Sequence, residues 1–425
     1  MPDDKKFTDQ SQFELIYSAL VDKYPGIKAD GEITMFQFSE GPLEANWKSG
    51  SDITAYDFAN CVPASLDGFY EPSPSPLTAA YQDLILSIKP AKYEDNPTYM
   101  GYLNQKSDYI SKRDAVYEKI SVAWASFVEQ NTGPDGKVAM TKEEWSKDPA
   151  EGLEYYDDLK DIIEQINTLG SKITQLTKSM DAALSSAQSD FTNEKYMSAY
   201  KQEDGQMVKN PRIIIEGNLV DDMSKWDRNP DTQNDFSVII NKESTVTSPW
   251  KTVYDNQVHH SCLSTKISSV VNTSRIIADE KYKLEIYFKG FKSYKITFGE
   301  WFHESYVNPK TAQFPEGSTV NSDTFFGHDG SLHAIPSEIW VVYKPKIVLT
   351  VSSKLYKQEF EGNSALSFDS FDLFSLQFKF DGLASLKPVN NGEGDDATTT
   401  ITIDSPVSST PQVFGVTSLL KYNND

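Results

Sequence analysis

Two hydrophobic periods divide this chain. From Leu159 through Ile162, Ile166, Leu169, Ile173, Leu176, Met180, Leu184 and Ala187 to Phe191, apolar residues return every three or four positions, which is the spacing of one helix face. From about Pro211 onward they return every second position. Tyr282, Leu284, Ile286 and Phe288 alternate with Lys281, Lys283, Glu285 and Lys289, the pattern of a strand with one wet face. A single switch of period implies a helical part followed by a β part.

The helical part holds a second long run. Leu103, Ile110, Tyr117 and Trp124 recur every seven residues, with Ile120 and Phe127 between them. Asn131-Thr132-Gly133-Pro134-Asp135-Gly136 breaks this run, and Thr141-Lys142-Glu143-Glu144 has the form of a capping box opening a short helix. The segment from Leu159 to Phe191 is expected to be one continuous helix with Gly170 as its weak point. At 1.5 Å per residue, about 40 residues reach ~60 Å, so the two runs predict an extended antiparallel hairpin. Upstream, Ser11-Gln12-Phe13-Glu14 followed by Ile16, Tyr17 and Leu20 predicts a short amphipathic helix, and Ile33 to Phe38 alternates like a strand. Pro72, Pro74 and Pro76 read as a stiff spacer.

In the β part, Tyr282 to Phe288 and Tyr294 to Phe298 read as a hairpin turning at Gly290, and Ile339 to Val351 as two strands hinged at Lys344-Pro345. Ile213 to Leu219, Phe236 to Ile240, Phe374 to Phe380, Thr399 to Ile403 and Val413 to Thr417 supply further strands. Without long helices between them, these predict an antiparallel β-sandwich. The expected fold is therefore α+β and multidomain: a small, mostly helical subdomain over 1–95, a long antiparallel α-hairpin over 96–200, and a sandwich over 205–425.

The 62 acidic residues outnumber the 40 basic ones, giving a net charge of -22. No basic cluster interrupts this, which excludes nucleic acid as an expected partner. Cys61 and Cys262 are the only cysteines, so a disulfide framework is excluded and reduced thiols are expected. No run approaches the roughly 20 apolar residues of a membrane span, and the opening Met1-Pro2-Asp3-Asp4-Lys5-Lys6 lacks a secretory profile. The default compartment is the cytoplasm, with release by a route lacking a cleaved signal left open.

Candidate chemistry is concentrated in the β part, which contains His259, His260, His303, His328 and His333. His328, Asp329 and His333 have the residue types of a two-histidine, one-carboxylate metal centre. Asp227, Asn229, Asp231 and Asp235 place oxygen side chains at alternate positions, as a calcium loop does. Thr232 stands where such a loop has glycine, and Val238 stands at its closing acidic position. Calcium is therefore the candidate cofactor, with an Asx-rich turn as the alternative. Trp226, Trp250 and Trp301 lie in polar stretches and are candidates for a ligand-stacking face. Phosphate-binding loops, nucleophile elbows, HExxH helices and paired-cysteine zinc patterns are absent from the sequence.

These features rank three functions. The first is a non-catalytic binding or assembly protein, in which the sandwich recognises a glycan or protein and the hairpin mediates self-association or membrane contact. That layout resembles insecticidal and pore-forming toxins in architecture only. The second is a self-assembling structural or inclusion protein using strand edges and the heptad seam. The third is a metalloenzyme centred on the histidine cluster.

Overall fold

The computed structural model describes residues 9–24, 34–45, 47–49, 51–66, 69–93, 96–132, 138–202, 205–228, 236–248, 273–360, 370–373, 376–379, 385–394, 396–404 and 410–421. It is an α+β protein with helices packed on a large mixed sheet. The helices that matter here are α1 (Asp9–Lys23), α2 (Ile53–Ala59), α3 (Leu77–Ile85), α4 (Pro97–Asn131), α5 (Lys142–Lys147), α6 (Leu153–Met180), α7 (Ala182–Asp190) and α8 (Leu219–Arg228). The strands are β1 (Thr34–Glu44), β2 (Cys61–Pro63), β3 (Phe69–Tyr70), β4 (Pro72–Pro76), β5 (Met197–Lys201), β6 (Met207–Pro211), β7 (Ile213–Ile215), β8 (Phe236–Asn241), β9 (Lys283–Phe298), β10 (Ala334–Ser352), β11 (Ser370–Leu373), β12 (Leu376–Lys379), β13 (Ser385–Asn391), β14 (Thr398–Asp404) and β15 (Gln412–Leu420).

The helix pair forms as its periodicity predicts. Asn96 caps α4, its side chain accepting from the Thr98 and Tyr99 amides, and Pro97 occupies the first turn, where its missing N–H costs nothing. The early part of α4 (Tyr99, Leu103) shares a buried cluster with Ile173 near the end of α6, whereas its late part (Val116, Ile120, Phe127) clusters with Leu159 near the start of α6. The two helices are therefore antiparallel.

The root and the tip of this hairpin are built differently. At the root, α4 meets α3 through charges: Arg113 lies 2.8 Å from the Asp83 carboxylate and 2.6 Å from Asp114. Lys106, 1% exposed, donates to the Asp83 carbonyl at 3.1 Å and to Ser87 Oγ at 3.3 Å. Burial lowers the Lys106 ammonium to about 8, with Asp83 pulling the other way. Burial also works against the Arg113 charge, but Asp83 and Asp114 more than offset it and raise that group. The tip is aromatic. Trp145 is 1% exposed among Trp124, Tyr155 and Tyr156. Thr141 and Glu144 complete the capping box of α5 that holds Trp145 in place.

The second long helix is not continuous. It stops at Met180, and Asp181, with φ −156°, starts α7 by accepting from the Leu184 amide at 3.0 Å. The second Asp181 oxygen accepts from the Ala91 amide at 3.0 Å, so the break ties the hairpin root to the segment after α3. Gly170, the predicted weak point, sits inside α6, where a Cβ would come within 2.9 Å of Leu86 Cδ1. It permits close helix approach. The predicted proline spacer is likewise a strand, β4, paired antiparallel with β2.

The described strands form one nine-stranded sheet that is not closed, with separate two-stranded ribbons β2–β4, β5–β6 and β11–β12. The described strands do not confirm a β-sandwich. The segments expected to be a hairpin and a hinged pair are single long strands, β9 and β10, paired antiparallel from Lys283↔Thr350 to Lys295↔Glu338. Gly290 faces Tyr343 in this pairing, beside Lys344 with φ 48°. Trp226 of α8 lies over Gly290, where a Cβ would meet its ring at 2.2 Å, so glycine is needed for the indole to seat. Central strand β10 is buried on both faces. Ile339, Val341 and Tyr343 join the cluster shared with the helices, while Trp340 and Val342 join a second cluster that α1 covers.

The sheet also draws on the start of the chain. β1 pairs antiparallel with β15, from Thr34↔Leu419 to Glu44↔Gln412, and pairs parallel with β3. Phe36 and Phe38 thereby contribute to the same buried cluster as Phe288 and Phe414.

Candidate functional site

Among the described residues, those singled out from sequence do not gather into one metal site. Asp227, at the end of α8, accepts from Lys344 at 2.7 Å, Tyr343 at 3.0 Å and Lys289 at 3.3 Å. Partial burial works to raise its carboxyl, but these donors outweigh it and hold the group below the usual carboxylate range. A carboxylate already compensated by two ammonium groups offers little to a calcium ion. Asn229, Asp231 and Asp235, the rest of that candidate loop, lie outside the described residues.

His328 is paired through Nδ1 with its neighbour Asp329 at 2.6 Å on the surface. His333 is 2% exposed, with its ring against the backbone of Gly330 and Pro63. Burial lowers its pKa, which keeps the ring neutral. Among the described residues, no three His, Cys, Asp or Glu side chains gather as a metal site would require. His303 instead bonds Asp190 at 3.1 Å, while His259, His260 and Cys262 lie outside the described residues.

The tryptophans are packing groups. Trp226 is 8% exposed and stacks on Tyr343. Trp301 is fully buried against Tyr81, Phe191 and Phe302 and donates its indole N–H to the Arg212 carbonyl at 2.8 Å. Neither has a ring face open to a sugar. Trp250 lies outside the described residues.

A different place has the shape of a site. Between the hairpin and the body is a cleft of about 700 Å³, within the range of ligand pockets. Its body wall comes from α2 and the β2–β4 ribbon, including Ile53, Thr54, Asp57, Cys61 and the prolines Pro72, Pro74 and Pro76. Its hairpin wall comes from α4, α5 and α6, through Tyr117, Ile120, Ser121, Lys142, Tyr156 and Leu159. Gln202, Val208 and Asn210 of the β5–β6 ribbon close the end. The β2–β4 pairing fixes the rim, and Ser75 of β4 reaches Asp114 of α4 at 3.3 Å, linking the rim to the charged root.

The electrostatics of this cleft are unusual for so acidic a chain. Asp57 is exposed to the cleft yet flanked by protein, and desolvation pushes its carboxyl up to about 6 against the pull of Lys142. Among the described residues, neither Asp57 nor Lys142 has an ion-pair partner within 4.0 Å. Cys61 donates its thiol to the Asp57 carbonyl at 3.1 Å. Burial pushes that thiol up to about 12, with the Asp57 charge adding to the effect. It therefore stays protonated at neutral pH and is a poor nucleophile. Burial also raises Tyr117 and Tyr156, keeping both phenols as hydrogen-bond donors.

This site was not visible as a motif because three distant stretches build it. The capping box at Thr141 did place Lys142 at the first position of a helix, but nothing local brings α5 opposite α2. Comparison with protein-family models, curated proteins and solved structures finds no match for this chain.

Proposed function

We propose that this is a non-catalytic recognition protein whose two parts, the helical hairpin and the sheet-bearing body, act as the walls of one binding cleft. The observation that carries the reading is the cleft itself, lined by half-buried tyrosines, carboxamides, hydroxyls and two unpaired charges of opposite sign. Of its two carboxylates, Asp57 and Glu143, the second is already paired with Lys147, and its protonated thiol is no activated nucleophile. Its target is a glycan or a peptide segment of another protein. This moves recognition away from the β part, where Trp226 and Trp301 are buried.

Self-assembly through strand edges is the weaker reading. Outermost strand β13 carries the exposed Pro388, which has no N–H to offer a neighbouring chain. Among the described residues, no helix is long and apolar enough to cross a membrane. The test is a thermal-shift screen of oligosaccharides and short peptides against the full chain. Hits are expected to raise Tm in the wild type and in an Ile239→Trp control, and to lose that effect in Ser121→Trp, which fills the cleft. Hits that persist in Ser121→Trp would move the binding site elsewhere.

A further inference from the structure

The chemistry of the cleft narrows the ligand class. We propose that it takes a zwitterionic, peptide-like ligand, with Asp57 receiving a protonated amine and Lys142 an anionic group. The inference rests on reading the cleft as the recognition site.

These two charges are exposed, and they line one concave space from separate elements, α2 and α5, with no ion-pair partner among the described residues. Several charged groups elsewhere are paired with one another. Lys289 and Lys344 share Asp227, Lys292 takes Asp222, and buried Arg113 takes Asp83. A neutral ligand filling the cleft would strip water from both charges and return nothing to either. A purely anionic ligand would face the Asp57 carboxylate and a net charge of -22. A ligand carrying both signs satisfies both groups with charge-assisted hydrogen bonds.

The space between the charges suits a peptide backbone more than a lattice of sugar hydroxyls. Ile53, Ile120, Leu159 and Val208 supply apolar surface, while Gln202 and Asn210 offer amide groups that match peptide donors and acceptors. Strand addition is not the mode, because rim strand β4 reads Pro-Ser-Pro-Ser-Pro and three of its five residues lack an N–H. Recognition is therefore by side chains, and the charged ends of the ligand set its orientation.

The experiment is calorimetric titration of the full chain at pH 7.5 with tetraglycine, its N-acetyl form, its C-terminal amide and maltotetraose. Tetraglycine is expected to bind at least ~10-fold tighter than either blocked peptide, the worth of one charge-assisted contact. Asp57→Asn should abolish the penalty of acetylation alone, and Lys142→Met the penalty of amidation alone, with circular dichroism confirming both folds. Because the Asp57 carboxyl lies near 6, tetraglycine affinity should also fall between pH 7 and pH 5 in the wild type and stay flat in Asp57→Asn. Equal binding of all three peptides, or binding of maltotetraose alone, overturns the ligand class and leaves the cleft as a binding site. Binding of no probe, together with no cleft-dependent hit in the thermal screen, overturns both.

Discussion

The two ends of the helix pair solve the same packing problem with opposite materials. At the tip, Trp145, Trp124, Tyr155, Tyr156 and Phe127 form a cluster of their own, separate from the large cores. At the root, two seam positions of α4 are Lys106 and Arg113, each about as buried as a core leucine. Burial of apolar rings is driven by area and is less directional than a buried guanidinium, which accepts only the arrangement that supplies its carboxylate. The root therefore fixes where the hairpin is attached, and the tip fixes that the two helices meet. Among the described residues, one Asp83 oxygen at the root and the Trp145 indole N–H at the tip have no hydrogen-bond partner.

The sharpest break of that contrast is at the ion pair. Arg113→Ala strands the Asp83 carboxylate in the interior and is expected to cost about 3–5 kcal/mol in chemical denaturation. The double variant Arg113→Met with Asp83→Leu should recover most of it. If the single and double variants are equally unstable, the root is held by packing like the tip.

Next in size is the tip. Gly152 abuts Trp145, and an added Cβ would lie 2.6 Å from the Trp145 carbonyl and 2.7 Å from the indole. Gly152→Ala should therefore cost about 1–3 kcal/mol through overpacking. Hydrogen exchange should accelerate in α5 and the adjoining turns of α4 and α6, while α3 keeps its protection. Faster exchange reaching α3 would show that tip and root unfold as one unit.

The smallest effect separates the two ends by pH. Lys106 titrates near 8 in the folded chain and near 10.5 when unfolded, so folding favours its neutral form. Its contribution is present above the unfolded value and is lost as pH falls through the folded one. Between pH 7.5 and pH 9.5, wild-type stability should rise by about 1–2 kcal/mol relative to Lys106→Met. Among the described residues the tip has no buried ammonium, and Gly152→Ala should keep the wild-type slope. Parallel urea-midpoint curves for wild type and Lys106→Met would remove the charge of Lys106 from the root.

Much of the architecture was legible from residue patterns. Both long helices, the Thr141 capping box and the strands of the β part follow from spacings of three, four and two. What escaped were features set by contacts between distant segments. Asp181 ends a helix whose apolar spacing continues past it, because its carboxylate is shared between the Leu184 and Ala91 amides. Gly290 looks like a turn residue but is a seat for Trp226, sixty-four positions earlier. Lys106 and Arg113 stand in the seven-residue register of Ile120 and Phe127, where the periodicity alone offers no reason for a charge, and only the arrival of Asp83 supplies one. Asp57 and Lys142 carry no local signature, since each acquires its role from the opposite wall of the cleft.

The pairing of β1 with β15 has a consequence in time. The ribosome makes Thr34–Glu44 long before Gln412–Leu420, and at 5–20 residues per second the partner strand follows about 20–75 s later. For that interval Phe36 and Phe38 have no Phe414 to pack against and β1 has an unpaired edge. The helix pair is complete well within it. This chain therefore passes through a stage in which its hairpin is available while its sheet is still waiting for a strand, and a nascent chain halted before residue 412 should be the form most in need of a chaperone.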